Sequence, residues 1–177
     1  MFQLSEETRE DWWEVEALYD LCFAPGREAL SSYRLRDEIA PIGPLCLIAR
    51  DETGALGAAI RYWPVQIRSK KGEIWRALLL GPVAVHPTRQ GEGLGALLIQ
   101  ESLERAGKIG WDRVMLVGDA PYYGRFGFSK LSGVKMPPPT NPARVLAYDI
   151  ESGAWDGVKG KVQRDLPDHG PAGERVP

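Results

Sequence analysis

Residues 83–95 constrain the fold of this chain more than any other part of its 177-residue sequence. An apolar run ends at Val85, Pro87 follows, and a glycine-rich turn over residues 89–95 leads into a helical pattern. Glycines adopt positive φ and let a ligand approach the backbone closely. The unpaired N–H groups at a helix N-terminus favour an anion. The segment therefore predicts a strand, an anion-binding turn and a helix, in that order.

Apolar periodicity divides the rest of the chain into helices and strands. Spacings of three and four predict helices at residues 10–23, 31–39, 94–107 and, as a short segment, 121–126. Apolar or alternating runs predict strands at residues 2–7, 45–49, 55–67, 75–85, 113–117, 128–134 and 145–150. Short turns between the second, third and fourth of these strands predict an antiparallel meander. The helix at 94–107 joins two strands and predicts a parallel crossover.

This element order predicts one α+β (mixed α/β) domain over residues 1–150, with helices on both faces of its sheet. The mostly antiparallel, twisted sheet is expected to have about six to seven strands. Residues 151–177 are rich in Gly, Pro and charge. We expect them to form a partly flexible extension whose tail is residues 165–177.

Composition limits the partners of the protein. Its 22 basic and 24 acidic side chains give a formal charge of -2, which argues against a nucleic-acid partner or an anionic membrane surface but allows a local basic pocket. No segment reaches the roughly 18 apolar residues of a membrane span, and no signal peptide is recognisable, so we expect a cytoplasmic protein. Cys22 and Cys46 lack metal-binding spacing. We expect buried, reduced thiols and no metal.

The glycine turn is compatible with several ligands. A P-loop requires Lys and then Ser or Thr after its last glycine, but Gly95 is followed by Ala96 and Leu97. A dinucleotide fingerprint requires G-x-G-x-x-G within repeated crossovers, whereas Gly91, Gly93 and Gly95 alternate and one crossover is predicted. The pyrophosphate of coenzyme A and a plain tight turn without a ligand remain.

The turn resembles the acetyl-CoA motif of the GNAT superfamily of N-acetyltransferases. Gln90, Gly93 and Gly95 match that motif, and the strand, proline and helix around them occur in the family's order. The resemblance covers roughly residues 1–150 and implies a splayed central strand pair with acetyl-CoA as co-substrate. The cofactor-binding residues it implies are Val83, Ala84 and Val85 for the pantetheine arm, and Arg89, Gln90, Gly91, Glu92, Gly93, Leu94 and Gly95 for the pyrophosphate.

The Gly81-Pro82 dipeptide interrupts the most apolar strand. Proline removes a hydrogen-bond donor from the sheet, which indicates either a bulge or a splayed edge. The GNAT resemblance implies that this strand separates from its neighbour and that pantetheine bonds to its backbone there. It also implies that a backbone N–H near Val83 stabilises the oxyanion.

Tyr123 lies four residues before Gly127-Phe128, which resembles the GNAT tyrosine element, and the preceding Gly118-Asp119 spacing resembles a bacterial subgroup of predicted acetyltransferases. A phenol can protonate a leaving thiolate as charge develops. We therefore expect Tyr123 to be the catalytic acid, with Tyr122 as the alternative. No single base is assigned, because Glu73, His86, Glu92, Asp119 and a water relay are all conceivable.

The sequence predicts transfer of an acetyl group from acetyl-CoA to an amine of a small molecule or peptide, by direct attack in a ternary complex. One alternative is a non-catalytic acyl-CoA sensor of the same fold, and another is a domain that binds a peptide by strand addition. Trp155 could form a contact in a homodimer or cover the sheet. The GNAT resemblance implies that residues 10–39 and the loop at residues 62–72 line the acceptor side, and the side chains there are Trp12, Trp13, Tyr33, Arg34, Arg36 and Trp63.

Overall fold

The computed structural model describes residues 1–23, 27 and 30–166, which form one nine-stranded sheet with helices on both faces. The strands are β1 (Gln3–Glu6), β2 (Leu47–Arg50), β3 (Leu56–Arg68), β4 (Ile74–Val85), β5 (Arg113–Val117), β6 (Ser129–Lys130), β7 (Val134–Lys135), β8 (Val145–Asp149) and β9 (Gly160–Arg164). The helices are α1 (Trp12–Cys22), α2 (Ser31–Arg34), α3 (Leu94–Lys108) and α4 (Ala120–Gly124). The expected mixed, mostly antiparallel architecture is confirmed.

The sheet follows the order β1-β2-β3-β4-β5-β8-β6, and β9 pairs with both β3 and β7. The meander of β2, β3 and β4 is antiparallel, as predicted. The crossover through α3 makes β4 and β5 parallel neighbours, also as predicted. The glycine turn therefore lies between the central strand β4 and the helix that returns the chain to β5.

Alternation along β3 determines which helix covers each face of the sheet. Ile60 and Tyr62 point to one face and pack in the cluster that contains Leu98 of α3. Ala59 points to the opposite face and packs with Val15 of α1. Burial of a leucine such as Leu98 contributes about 1.5–3 kcal/mol. The period-2 pattern of one buried strand thus fixes α1 and α3 on opposite sides of the sheet.

Two predicted elements are wrong in extent. The helix expected at residues 31–39 ends at Arg34, and Glu38 adopts a φ of 62°, which right-handed helical backbone does not allow. The single strand expected at residues 128–134 is replaced by the short strands β6 and β7. Between them Gly133 has a φ of 82°, so the chain turns and each short strand pairs with a different neighbour.

Residues beyond 150 contribute a strand to the sheet. β9 pairs antiparallel with residues 65–68 of β3, beyond the part of β3 that pairs with β2. Trp155 is 9% exposed, and its indole N–H donates to the carbonyl of Tyr148 at 3.1 Å. Trp155 therefore covers the sheet. Of the tail expected at residues 165–177, residues 167–177 lie outside the described part of the chain.

Candidate active site

The parallel strands β4 and β5 separate towards their carboxyl ends. They pair at Leu78 with Val114 and at Leu79 with Met115, and the pairing stops there although β4 continues to Val85. Backbone groups on that side of β4 are consequently available to a ligand. The splayed pair implied by the sequence resemblance is present in the structure.

A bulge in β4 coincides with the beginning of this separation. Ile60 of β3 pairs with Val83 and Tyr62 pairs with Leu80, so β4 has one residue more than β3 between these pairs. The extra residue falls at Gly81-Pro82, where proline offers no N–H to the ladder and Gly81 has a φ of 130°. The bulge predicted from the sequence is therefore present where the two strands part.

A cavity of about 300 Å³ occupies the opening between the strands, and we call it the β4–β5 cleft. Tyr123 from α4 lines one side of it, opposite the bulge of β4. Among the described residues, the Tyr123 hydroxyl makes no hydrogen bond to the protein, which leaves it available to a ligand. The cleft is lined by residues 79–83, 117–119, Phe23, Leu30, Ser32, Tyr33, Arg36, Tyr123 and Arg144.

Gly118 determines the position of Tyr123. A Cβ atom at Gly118 would lie only 2.6 Å from Cε2 of Tyr123, so the tyrosine ring packs directly on the glycine backbone. On its far side the ring packs against Phe128, with ring centroids 5.8 Å apart. Asp119 begins α4 by accepting a hydrogen bond from the backbone N–H of Tyr122. The turn after β5 is thus built to present Tyr123 to the cleft.

The environment of Tyr123 keeps its phenol protonated. Burial raises the pKa of Tyr123 to about 12, with a further contribution from the neighbouring Tyr122, while the Arg144 guanidinium opposes the increase. The hydroxyl is consequently a hydrogen-bond donor at neutral pH, and it is a weaker acid than a free tyrosine. Its chemistry suits donation to an atom on which negative charge develops.

Tyr122 faces the glycine turn and Tyr123 faces the cleft. The Tyr122 hydroxyl lies 3.1 Å from the position that a Cβ atom of Gly95 would take. The two rings meet edge to face, with centroids 5.0 Å apart. Only Tyr123 of this pair lines the β4–β5 cleft, so the geometry favours Tyr123 as the acid.

The glycine turn has the geometry that an anion site requires. Gly91 and Gly93 have φ values of 88° and 77°, a conformation that costs other residues energy. A Cβ atom at either glycine would meet no atom within 4 Å, so their open side faces free space. Gly93 caps α3 without a side-chain acceptor, and Leu94 begins the helix. The first N–H groups of α3 therefore have no partner inside the helix.

Arg89 and Glu92 belong to the turn but have other contacts. The Arg89 guanidinium donates to Asp51 at 2.5 Å, stacks over the ring of Phe2 and lies 4.0 Å from Glu92. Glu92 is exposed. Main-chain N–H groups, rather than the charge of Arg89, are accordingly the chief anion ligands that the turn offers.

Two carbonyls of β4, one at the predicted pantetheine position Val85 and one at the neighbouring Pro82, have protein contacts. The carbonyl of Pro82 accepts from the Tyr19 hydroxyl at 3.1 Å, and that of Val85 accepts from the Cys22 thiol at 3.3 Å. A carbonyl has two lone pairs and can accept a second hydrogen bond. Val83 lines the cleft and Ala84 is buried against α1. Helix α1 thus supports β4 from the face opposite α3.

The four candidate bases differ in their position relative to the β4–β5 cleft. Glu73 bonds to Ser69 in the β3–β4 turn and does not line the cleft. His86 caps the following turn, because its Nδ1 accepts from the Thr88 N–H at 3.2 Å. Glu92 is exposed, as expected. Asp119 is the only one of the four that lines the cleft.

Sequence reasoning missed part of a second cavity, of about 780 Å³, which we call the α1 cavity. Five of the six predicted acceptor-side residues line it, while Trp13 is 66% exposed and does not. The buried charges Arg27 and Arg61 were not predicted to be there. An arginine inside the apolar strand β3 was the available signal, because a buried charge requires partners. The α1 cavity is lined by Glu7, Thr8, Arg9, Trp12, Glu16, Arg27, Tyr33, Arg34, Arg36, Asp37, Pro41, Gly43, Cys46, Arg61 and Trp63.

Raising the pH above about 10 is expected to destabilise the protein, because buried tyrosines keep protons that the unfolded chain releases near that pH. Burial raises the pKa values of Tyr19, Tyr62 and Tyr123. Their contribution is complete below pH 10 and falls above it by about 1.4 kcal/mol per pH unit for each fully buried tyrosine. Urea unfolding at a series of pH values measures this. Tyr62→Phe should show a shallower decline, and a constant urea midpoint would contradict the prediction.

The described residues contain neither a metal-binding cluster nor a membrane-spanning helix. No group of three or more His, Cys, Asp or Glu side chains there could hold a metal ion. None of the helices within residues 1–23 and 30–166 is long and apolar enough to cross a membrane. Both cysteines are free, with Cys46 buried and Cys22 half-buried.

A splayed strand pair, a glycine turn before a helix and a tyrosine facing the splay define an acetyltransferase of the GNAT class. The chain belongs to this family, since the sequence profile of the acetyltransferase (GNAT) domain matches residues 3–131. The family expectation from the sequence is confirmed.

Individual relatives agree with this assignment. The GNAT family N-acetyltransferase YhbS from Escherichia coli, solved in complex with CoA, is 26% identical with a TM-score of 0.78, covering 92% of this chain and 89% of that one. A GNAT family acetyltransferase from Brucella melitensis, solved with acetyl-CoA, is 29% identical with a TM-score of 0.57, covering 88% and 99%. The uncharacterized N-acetyltransferase YjhQ of E. coli K12 is 33% identical over 137 residues, covering 76% and 73%.

Proposed function

We propose that this protein transfers the acetyl group of acetyl-CoA to an amine by direct attack in a ternary complex. One observation carries the proposal: β4 runs from the cleft that contains Tyr123 straight to the glycine turn that begins α3. A ligand with a thioester at one end and a pyrophosphate further along could use both places. The relatives solved with CoA and acetyl-CoA support this choice of ligand.

The residues present fit acetyl-CoA along the length of β4. The unpaired N–H groups at the start of α3, with the open side of Gly91 and Gly93, provide donors for a pyrophosphate. Beyond Leu79 the edge of β4 facing β5 is free to bond an amide-containing arm. Bound this way, the arm would direct the thioester into the cleft beside Tyr123.

The transfer forms one C–N bond and breaks one C–S bond. The amine must be neutral to attack, and it loses a proton as the amide forms. The sulfur leaves as a thiolate and takes up a proton, so CoA is released as the free thiol. Tyr123 donates its proton to this sulfur as charge develops there, and the proton that leaves the amine returns to the phenol through solvent, so no net proton is taken up or released. No residue of the chain needs to carry the acetyl group.

Release of free thiol tests the proposal directly. Purified protein, acetyl-CoA and a panel of small amines and peptides should give amine-dependent formation of CoA, followed with a thiol reagent. Binding of acetyl-CoA without release for any amine would instead favour the non-catalytic sensor. Absence of acetyl-CoA binding in calorimetry would reject both functions.

Gly93→Ala is expected to weaken acetyl-CoA binding by about tenfold or more, because left-handed backbone costs alanine about 1–2 kcal/mol. Relief of this strain would rotate the N–H groups at the start of α3 away from the pyrophosphate. Gly72→Ala is the matched control, since Gly72 has a φ of 89°, equally open space, and a position in the β3–β4 turn. Both variants should lose similar stability in urea unfolding. Equal acetyl-CoA affinity of the two variants in calorimetry would refute the predicted role of Gly93.

A further inference from the structure

The α1 cavity adjoins the β4–β5 cleft at two residues. Tyr33 and Arg36 line both spaces, so their side chains stand between the two. An acceptor bound in the α1 cavity would thus reach the thioester past these two side chains. We call the gap beside Tyr33 and Arg36 the passage. The groups that line the passage would contact the acceptor and so select it by its chemistry.

Most buried charge in the α1 cavity is already neutralised. The Arg61 side chain is 7% exposed and pairs with Glu7 and Glu16, each with an N–O distance of 2.6 Å. The Arg27 side chain is 6% exposed and pairs with Glu16 and Asp20. Burial alone would raise the pKa of Glu16, but hydrogen bonds from both arginines lower it. Glu16 is therefore ionised at neutral pH, and Glu7, Glu16 and Asp20 are all engaged in ion pairs with Arg27 or Arg61.

Arg36 differs from these two arginines, because no described carboxylate lies within ion-pairing distance of it. Its guanidinium stacks on aromatic faces instead, 3.8 Å from the ring centroid of Tyr33 and 5.1 Å from that of Trp63. Burial lowers the pKa of Arg36, although the side chain remains a cation at any physiological pH. Among the described residues, Arg36 is therefore a stacked positive charge without a carboxylate partner.

Two buried donors at the same place lack acceptors. Nε of Arg36 and Nε1 of Trp63 are both inaccessible to solvent and have no hydrogen-bond partner among the described residues. A buried donor without an acceptor is costly and rare in native proteins. The Trp63 ring lies beside the Arg36 guanidinium. An anionic oxygen ligand beside the guanidinium would compensate the charge, and a small movement of the two side chains would bring these donors to it.

We infer that the acceptor is an amine that also carries a carboxylate, as in an α-amino acid, and that Arg36 and Trp63 bind this carboxylate. The inference rests on the proposed acetyl transfer and names its substrate class. A planar guanidinium matches a carboxylate in shape and charge. With the carboxylate held at the passage, the nearby amine nitrogen faces the β4–β5 cleft. The amine then forms the C–N bond as the C–S bond of the thioester breaks, giving an N-acetyl amino acid and free thiol.

The experiment compares acceptors that differ only in the carboxylate. The common L-amino acids are tested for thiol release against their own carboxamides, and dipeptides form a third arm. The wild-type protein should prefer at least one amino acid to its carboxamide by about 10- to 100-fold in kcat/KM, as expected for a charge-assisted hydrogen bond. Arg36→Gln should abolish this preference by lowering only the amino-acid value. Trp63→Phe keeps the ring, removes one donor and should reduce the preference in part.

Several results would overturn the inference. Equal kcat/KM of the wild type for amino acids and their carboxamides would do so, as would a preference of the wild type for dipeptides. So would an Arg36→Gln variant that keeps the preference for amino acids, or that lowers kcat/KM equally for both acceptors. Cooperative urea unfolding of Arg36→Gln shows that the variant is folded. Thermal shifts with N-acetyl amino acids and their amides provide a readout without turnover. If no acceptor releases thiol, the proposed acetyl transfer is rejected. The carboxylate site is then supported if the thermal shift with N-acetyl amino acids is lost in Arg36→Gln, and rejected if that shift is unchanged.

Discussion

Tyr123→Phe is expected to slow thiol release by about 10²- to 10⁴-fold, the usual contribution of a positioned general acid. Acetyl-CoA binding should change little, because the phenylalanine ring keeps the contacts with Gly118 and Phe128. The hydroxyl that is removed makes no hydrogen bond to the described part of the protein, so stability should also be nearly unchanged. Steady-state kinetics with calorimetric binding of acetyl-CoA separates these effects.

Tyr122→Phe is the matched control for this variant. The Tyr122 ring contacts Tyr123 and Phe126 and its hydroxyl lies over Gly95, outside the β4–β5 cleft. Its removal should leave the rate of thiol release within a few-fold of wild type, a small change on the free-energy scale. A larger rate loss for Tyr122→Phe than for Tyr123→Phe would reverse the assignment of the acid.

Gly118→Ala is expected to damage both stability and turnover. The new methyl group would lie 2.6 Å from Cε2 of Tyr123 and 3.0 Å from Cδ1 of Leu116, closer than packed carbon atoms approach. Overpacking of this kind costs about 1–3 kcal/mol. The half-buried Tyr123 ring can move more easily than the buried Leu116, so the hydroxyl should leave its place in the cleft. Turnover should then fall as far as in Tyr123→Phe.

Gly124→Ala makes the same change six residues along the chain. A Cβ atom at Gly124 would meet no atom within 4 Å, so this variant should retain wild-type stability and turnover. Urea unfolding and thiol release for the two variants give the comparison. Wild-type turnover by Gly118→Ala would show that the position of Tyr123 does not depend on this contact.

Local pattern was sufficient to predict the central architecture. The periodicity of β3 and β4 and the helical spacing after Gly95 located the meander and the crossover to within about two residues of the boundaries found. Gly81-Pro82 predicted the bulge because proline cannot donate to the ladder on either side of it. These features depend on residues adjacent in sequence, and therefore a single sequence reveals them.

Features that depend on distant partners escaped prediction. Strand β9 lies in a stretch rich in glycine and charge, and it is ordered by pairing with residues 65–68 of β3, far away in sequence. Arg36 was one of six side chains expected near the acceptor, in no pattern that distinguished it, and only folding brings Tyr33 and Trp63 against it. The division of roles between Tyr122 and Tyr123 likewise required the positions of Gly95 and Gly118. Such contacts join residues that are distant in sequence, so local sequence patterns do not reveal them.

The pairing of β9 with β3 also bears on how the protein remains separate from its neighbours. β2 is four residues long and β3 thirteen, so β2 alone would leave the second half of β3 as a bare row of N–H and C=O groups. Such an edge is a template for pairing with another chain. β9 occupies that edge at residues 65–68. The C-terminal segment thus covers a strand edge that would otherwise be available to another chain, and a version of this protein shortened after residue 150 is expected to aggregate through the exposed half of β3.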